Sequence, residues 1–366
     1  MAENQTITAA RQEMIVYCKH LPDIISSLST PTSGDDGNKL MCQEKCSSLC
    51  KHISGYSSEM MTEAAVHECL QAIAKLVLDL TFMEEKILID EDFSSKSSFY
   101  RVCNIIDTLQ SVVDLANRTV QDKPVADVLS SEIMECLQWR KGALLYMYCH
   151  TINTQFSSES LPFYFSQCLE DGIKYLTSVF CTGSPPKWLT GAMLKKAEID
   201  SEEEAEDKAG MLLAQGILSD THLLALMYCG ELCYWHTKLH RPNVHKHENK
   251  TKSDQSLNDA FDVSSVERNF SKDCSQINKS PSSHDSLVAR ESLKFGSSCA
   301  FYPVSEKCLT SPLSIAAQST ETKIDIVKIG KLCLENYVSA AHGPLVIGGW
   351  KTTKAEEILQ YLYNLK

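Results

Sequence analysis

Apolar residues recur at spacings of three and four along most of this chain, the period of helices that bury one face. Thr8 to Leu28 reads as a first helix with Ile15, Val16 and Cys18 on its apolar side, kinked or divided at Pro22. A Ser-, Thr-, Pro- and Gly-rich turn from Ser29 to Asn38 follows, then a short helix from Leu40 to Ile53. Ser58 is a suitable cap for a long third helix carried by Met61, Ala65, Leu70, Ile73, Ala74, Val77 and Leu80, which ends near the acidic residues Glu84-Glu85 and Asp90-Glu91-Asp92. Val102, Ile105, Ile106, Leu109, Val112, Val113 and Ala116 carry a fourth, closed before Pro124.

Two further helices break the amphipathic rule. One starts at Ser130 or Ser131 and runs to about Asn153; the other starts at Ser219 or Asp220 and ends near His240. Each is apolar nearly all round and rich in Tyr and Trp, so each is packed on more than one side. Gly142 and Gly230 inside them weaken a helix relative to Ala, and close helix packing is the compensation. Between them, Glu159 to Phe180 forms an amphipathic element stopped by Pro185-Pro186, and Glu198 to Asp207 forms an exposed acidic helix start.

From Arg241 to about Lys323 the chain turns to Ser, Asn, Asp, Lys and His with isolated Phe261, Phe270, Phe295 and Phe301-Tyr302. That composition favours a disordered spacer over docking motifs. Helical order returns over Ile324 to Ala341, where Ile326, Ile329, Leu332, Cys333 and Val338 share a face, and over Thr353 to Leu365. The expected fold is an all-α multi-helix bundle: a helical body over 1–240, a disordered insertion over 241–323, and C-terminal helices over 324–366 that pack back on the body.

The composition narrows the function classes. A formal charge of -12 argues against nucleic-acid backbone binding, which needs clustered Lys and Arg. The 16 cysteines are scattered through apolar helical patterns and read as reduced core thiols. Met1 to Lys19 holds charges and no unbroken apolar run, and no segment approaches the roughly 18 apolar residues of a membrane span. A cytosolic protein that reaches membranes only through partners is expected.

Candidate chemistry is sparse. Cys42, Cys46 and Cys50 stand at intervals of four beside His52, a spacing that stacks thiols on one helix face and lacks the tight turn of a zinc knuckle. His236, His240, His245 and His247 form a second possible metal group, read as solvated because it borders the insertion. Cys149 and His150 point about 100° apart on a helix, and of Cys229, His222 and Glu231 the last two stand about two and a half turns apart and face differently. Gly348-Gly349 lacks the following helix start of a phosphate cradle. Neither a catalytic group, a metal nor a cofactor is expected. For partner binding the candidates are the acidic residues Glu84, Glu85, Asp90 and Asp92, which alternate with apolar ones, and Trp139, Arg140, Tyr146, Tyr234 and Trp235, whose types are enriched at binding hot spots. A plain helix end followed by a turn explains the first group equally well, and for the second group buried aromatic cores are commoner.

Three stretches carry a resemblance: Leu78 to Phe93, Glu135 to His150 and Leu212 to Trp235, with weaker echoes at Asn336 to Pro344 and Trp350 to Leu359. Together they resemble the family of the Rab-seven-interacting subunit of the Mon/Ccz complex. The resemblance implies a non-catalytic accessory protein associated with the Mon/Ccz guanine-nucleotide exchange complex and with the GDP-bound late-endosomal Rab GTPase. It further implies links to that Rab's stability and to its recruitment to damaged mitochondria in mitophagy. A purely structural adaptor that binds Mon/Ccz without touching the Rab is the alternative, with a cysteine- or zinc-dependent enzyme ranked behind it. The resemblance assigns no binding residue.

Overall fold

The computed structural model describes residues 2–28, 36–57, 61–121, 123–156, 161–181, 219–241, 325–342 and 348–365, and every regular element among them is helical. The helices are α1 (Ala2–Leu28), α2 (Asp36–Gly55), α3 (Glu63–Asp90), α4 (Ser98–Thr119), α5 (Val125–Leu129), α6 (Ser131–Gln155), α7 (Phe165–Val179), α8 (Asp220–His240), α9 (Ile326–His342) and α10 (Thr353–Tyr363). The all-α expectation therefore holds. One compact unit takes in Met1–Pro242 and Ser319–Lys366; a second, Asn243–Gln318, lies outside the described residues. The expected spacer over 241–323, the Pro185-Pro186 stop and the acidic start at Glu198 to Asp207 also fall there, apart from Arg241.

Several ends differ from expectation for local reasons. Pro22 does not divide α1, which runs through it. The α3 cap is Thr62, whose hydroxyl accepts from Ala65 N at 3.2 Å, while Ser58 lies outside the described residues. The helix ends at Asp90, within the expected acidic stretch, after passing through Glu84 and Glu85, whose carboxylates find cationic partners inside the fold. Ser130 caps α6, accepting from Ile133 N at 3.4 Å, and the unforeseen α5 fits between Pro124 and that cap. On α9 the buried face is Gly330, Cys333, Leu334, Tyr337, Ala340 and Ala341, rotated from the expected one. Its small residues are what allow the approach: a Cβ on Gly330 would stand 2.7 Å from Cys233 Cβ.

Packing follows the apolar pattern. Helices α1 to α4 pack on one another, α3 and α4 lean on α6, and α6, α7, α8, α9 and α10 pack in succession. The apolar-all-round helices α6 and α8 occupy the centre. Leu137, Leu144 and Cys149 on α6 and Leu223, Leu226, Cys229 and Leu232 on α8 are fully enclosed, each leucine contributing about 1.5–3 kcal/mol by leaving water. Both helix glycines serve close packing: a Cβ on Gly142 would lie 2.6 Å from Leu176 Cγ of α7, and one on Gly230 would collide with Leu334 of α9. Among the described residues no helix is long and apolar enough to cross a membrane.

Candidate functional site

The acidic end of α3 divides into an inner and an outer part. Glu84 and Glu85 are consecutive, so their side chains leave the helix about 100° apart. Glu84 turns to α4, where Arg101 Nε donates to its Oε1 at 2.5 Å and Arg101 Nη1 donates to Glu91 Oε2 at 2.7 Å. Glu85 turns to α6, where Arg140 donates Nε to Oε2 at 3.1 Å and Nη2 to Oε1, and also donates Nη1 to the Leu78 carbonyl. Burial pushes both carboxyls above the usual carboxylate range, opposed by the arginine beside each. Glu84, Glu85 and Arg140 are core residues, which corrects their reading as contact residues. A single acidic stretch looks solvated because the arginines that draw two of its members inward lie far along the chain.

Asp90 and Asp92 remain exposed. The chain leaves α3 by donating Asp92 N to Ile89 O at 2.9 Å and Phe93 N to Leu88 O at 3.0 Å, the paired bonds that close a helix through a left-handed residue. Asp92 and Phe93 both take φ of 49°. Phe93 is thereby buried edge-on to Tyr148, with ring centroids 5.7 Å apart, while Asp92 faces solvent.

The aromatic candidates are mostly structural as well. Tyr146 of α6 stacks on Tyr228 of α8 at 3.7 Å between centroids, and Trp139 and Trp235 extend the layer. Trp139, Tyr146 and Trp235 are buried, a second correction: facing helices sandwich their rings. The polar tip of Tyr146 is satisfied by Glu231, which is fully buried and also accepts from Lys354 Nζ of α10 at 2.8 Å. Burial raises the Glu231 carboxyl, with Lys354 opposing it. Tyr234 is half-buried, edge-on to Tyr361 and with Lys238 Nζ 5.1 Å from its ring centre.

The nucleophile candidates are enclosed. Burial drives the Cys149 thiol well up, and the hydrogen bonds Cys229 shares with Cys233 and Cys333 lie in the same sealed core. Such thiols behave as small apolar groups. His150 lies beside the Tyr146 and Trp235 rings, with centroids 6.0 and 5.8 Å away, and His222 meets its own cap, Ser219 Oγ, at 2.8 Å. Of the first cysteine group, Cys46 is buried and Cys50 half-buried, both near Cys18, whose thiol burial raises to about 12; His52 is exposed, and the Cys42 side chain lies outside the described residues.

The histidines at the end of α8 have a partner that the sequence did not reveal. Glu170 of α7 places Oε1 3.2 Å from His236 Nε2, and Ser166 Oγ of α7 stands 2.8 Å from His240 Nε2. The spacing of His236 and His240 was visible in the chain; Glu170, many residues upstream, comes beside them only through the packing of α7 on α8. His245 and His247 lie outside the described residues.

Comparison with known proteins gives a consistent picture. The sequence model of the family described as RAB7A-interacting MON1-CCZ1 complex subunit 1 matches residues 41–284, a stretch that includes every candidate residue discussed above from α3 to α8. The chain is 34% identical over 197 residues to a Danio rerio protein of that name, covering 53% of this chain and 67% of the relative. It is 28% identical over 301 residues to the Homo sapiens protein, covering 81% and 78%, and 28% identical over 297 residues to the Mus musculus protein, covering 80% and 76%. No solved structure matches. Since the family match spans well over half of the 366 residues, this chain belongs to the RAB7A-interacting MON1-CCZ1 complex subunit 1 family.

Proposed function

We propose that this chain is a non-catalytic helical subunit that binds the MON1-CCZ1 exchange complex and the late-endosomal Rab GTPase in its GDP form. The observation that carries the reading is the family match over residues 41–284, together with vertebrate relatives named for those two partners. The geometry supports a scaffold role: candidate thiols and carboxylates are used to build the core, and the exposed polar groups are left for association. Within the candidate set, Asp90, Asp92 and half-buried Tyr234 are the contact residues. Acting from the cytosol, the subunit holds the GDP state and so shifts the Rab's location and lifetime, including its recruitment to damaged mitochondria, without touching the nucleotide. The mechanism is differential binding, because a ligand with equal affinity for both states shifts nothing.

The test is binding of the purified full chain to the Rab loaded with GDP or with a GTP analogue, with and without MON1-CCZ1. A GDP preference of about tenfold, equivalent to about 1.4 kcal/mol, supports direct Rab handling. Binding that appears only when MON1-CCZ1 is added makes the chain an adaptor of the exchange complex. Equal affinity for the two nucleotide states removes the mechanism.

A further inference from the structure

We propose that Glu170, His236 and His240 form a binding site for a divalent metal ion of the zinc class, joining α7 to the last turn of α8. The three side chains offer two imidazole nitrogens and one carboxylate oxygen, all within 4.8 Å of one another. His236 and His240 are one helical turn apart, so both rings project from the same face, with centroids 4.3 Å apart. Glu170 enters from the neighbouring helix and already touches one of them, His236 Nε2, at 3.2 Å.

One of the three ligand pairs already has close to the spacing zinc demands. With metal–nitrogen and metal–oxygen distances of about 2.0–2.2 Å, ligand atoms around a tetrahedral ion lie about 3.3–3.6 Å apart. The histidine–glutamate pair is already near that separation, and the remaining adjustment falls on exposed side chains. The backbones beneath are fixed: α7 and α8 approach so closely at Gly172 that a Cβ there would lie 2.7 Å from Leu232 Cδ1. Sites carried on rigid helices hold their ligands better than sites on loops. Glu170 and His240 are exposed and His236 half-buried, so an ion has an open path.

The donor set also selects the ion. Imidazole suits zinc and its neighbours in the first transition row, while calcium and magnesium prefer an all-oxygen shell. Two histidines and one glutamate leave a fourth position open, the arrangement of a site that exchanges ligands. Ser166 Oγ, 3.4 Å from Glu170 Oε1, is placed to orient the carboxylate from outside, while its 2.8 Å contact with His240 Nε2 gives way where that nitrogen takes the ion. This assignment is independent of the partner reading above.

Cobalt and zinc titrations of the reduced, metal-stripped full chain test the site. Cobalt reports its ligands through its absorption, and the absence of a thiolate charge-transfer band separates this site from the cysteines. The expected result is one equivalent of cobalt bound without that band, displaced by zinc. In His240→Ala and Glu170→Gln the affinity should fall by about tenfold or more. Both changes are at exposed positions, and thermal melting without metal verifies that the variants fold. Zinc should raise the melting midpoint of the parent chain and not of His240→Ala. Absence of binding, a thiolate band at the first equivalent, or the same affinity in parent and His240→Ala would overturn the assignment.

Discussion

Arg140→Met isolates the pair on which the central packing turns. Arg140 and Glu85 have side chains only 4% and 2% exposed, and the guanidinium meets the carboxylate through two hydrogen bonds. Methionine preserves much of the arginine stem's volume, so the change removes charge and hydrogen bonds with little loss of packing. Glu85 then has no cation beside it, and breaking a buried pair from one side costs about 3–5 kcal/mol. At about 2–4 °C per kcal/mol for a domain of roughly this size, the melting midpoint should fall by about 6–20 °C. The loss should depend on pH. With Arg140 gone, nothing opposes the burial that already raises the Glu85 carboxyl. A carboxyl raised in the folded state holds its proton there when the unfolded chain has lost it, so the variant's deficit grows as pH rises above the ordinary glutamate value of about 4.3 and shrinks below it. Replacing both partners, Arg140→Met with Glu85→Leu, should recover most of the stability, because an apolar pair of similar volume carries no desolvation penalty. Far-UV circular dichroism melts at neutral and acidic pH read all of this. A single variant within about 1 kcal/mol of the parent at neutral pH, or a double variant no better than the single, would refute the reasoning.

Lys141 is fully buried, and desolvation lowers its amine to about 8. Measured against about 10.4 for the unfolded chain, the folded state holds fewer protons between those values, so stability rises with pH across that window. Lys141→Met should gain about 1–3 kcal/mol at pH 7 and abolish that rise, as urea unfolding at neutral and alkaline pH would measure. Gly142→Ala places a methyl 2.6 Å from Leu176 Cγ and 3.1 Å from its backbone nitrogen; overpacking outweighs the helix-propensity gain, for a net loss of about 1–2 kcal/mol. Gly55→Ala, where nothing lies within 4 Å of the added carbon, is the matched control and should not destabilise by thermal melting. Asp92→Gly relieves a left-handed backbone at φ 49° and should stabilise by about 0.5–1 kcal/mol, while weakening partner binding if the exposed aspartate is a contact; a melt and a binding titration separate the two effects.

The sequence by itself determined that the fold is all-α and where most helices lie. Spacing of Leu70, Ile73, Val77 and Leu80 forces one buried face on α3, and the all-round apolar surface of α6 and α8 requires neighbours on several sides. It also placed Gly142 and Gly230 at close contacts, since a glycine inside a helix needs a packing reason. Only the tertiary structure decided which charges face water. Glu84, Glu85, Asp90 and Asp92 are alike in one dimension, yet Arg101 and Arg140 draw the first two inside and leave the others exposed. The same holds for His236 and His240, whose spacing is local but whose Glu170 partner comes from another helix. Helical periodicity is written in neighbours a few residues apart, whereas the sign and solvation of a buried charge depend on a partner brought near by packing, which no local pattern records.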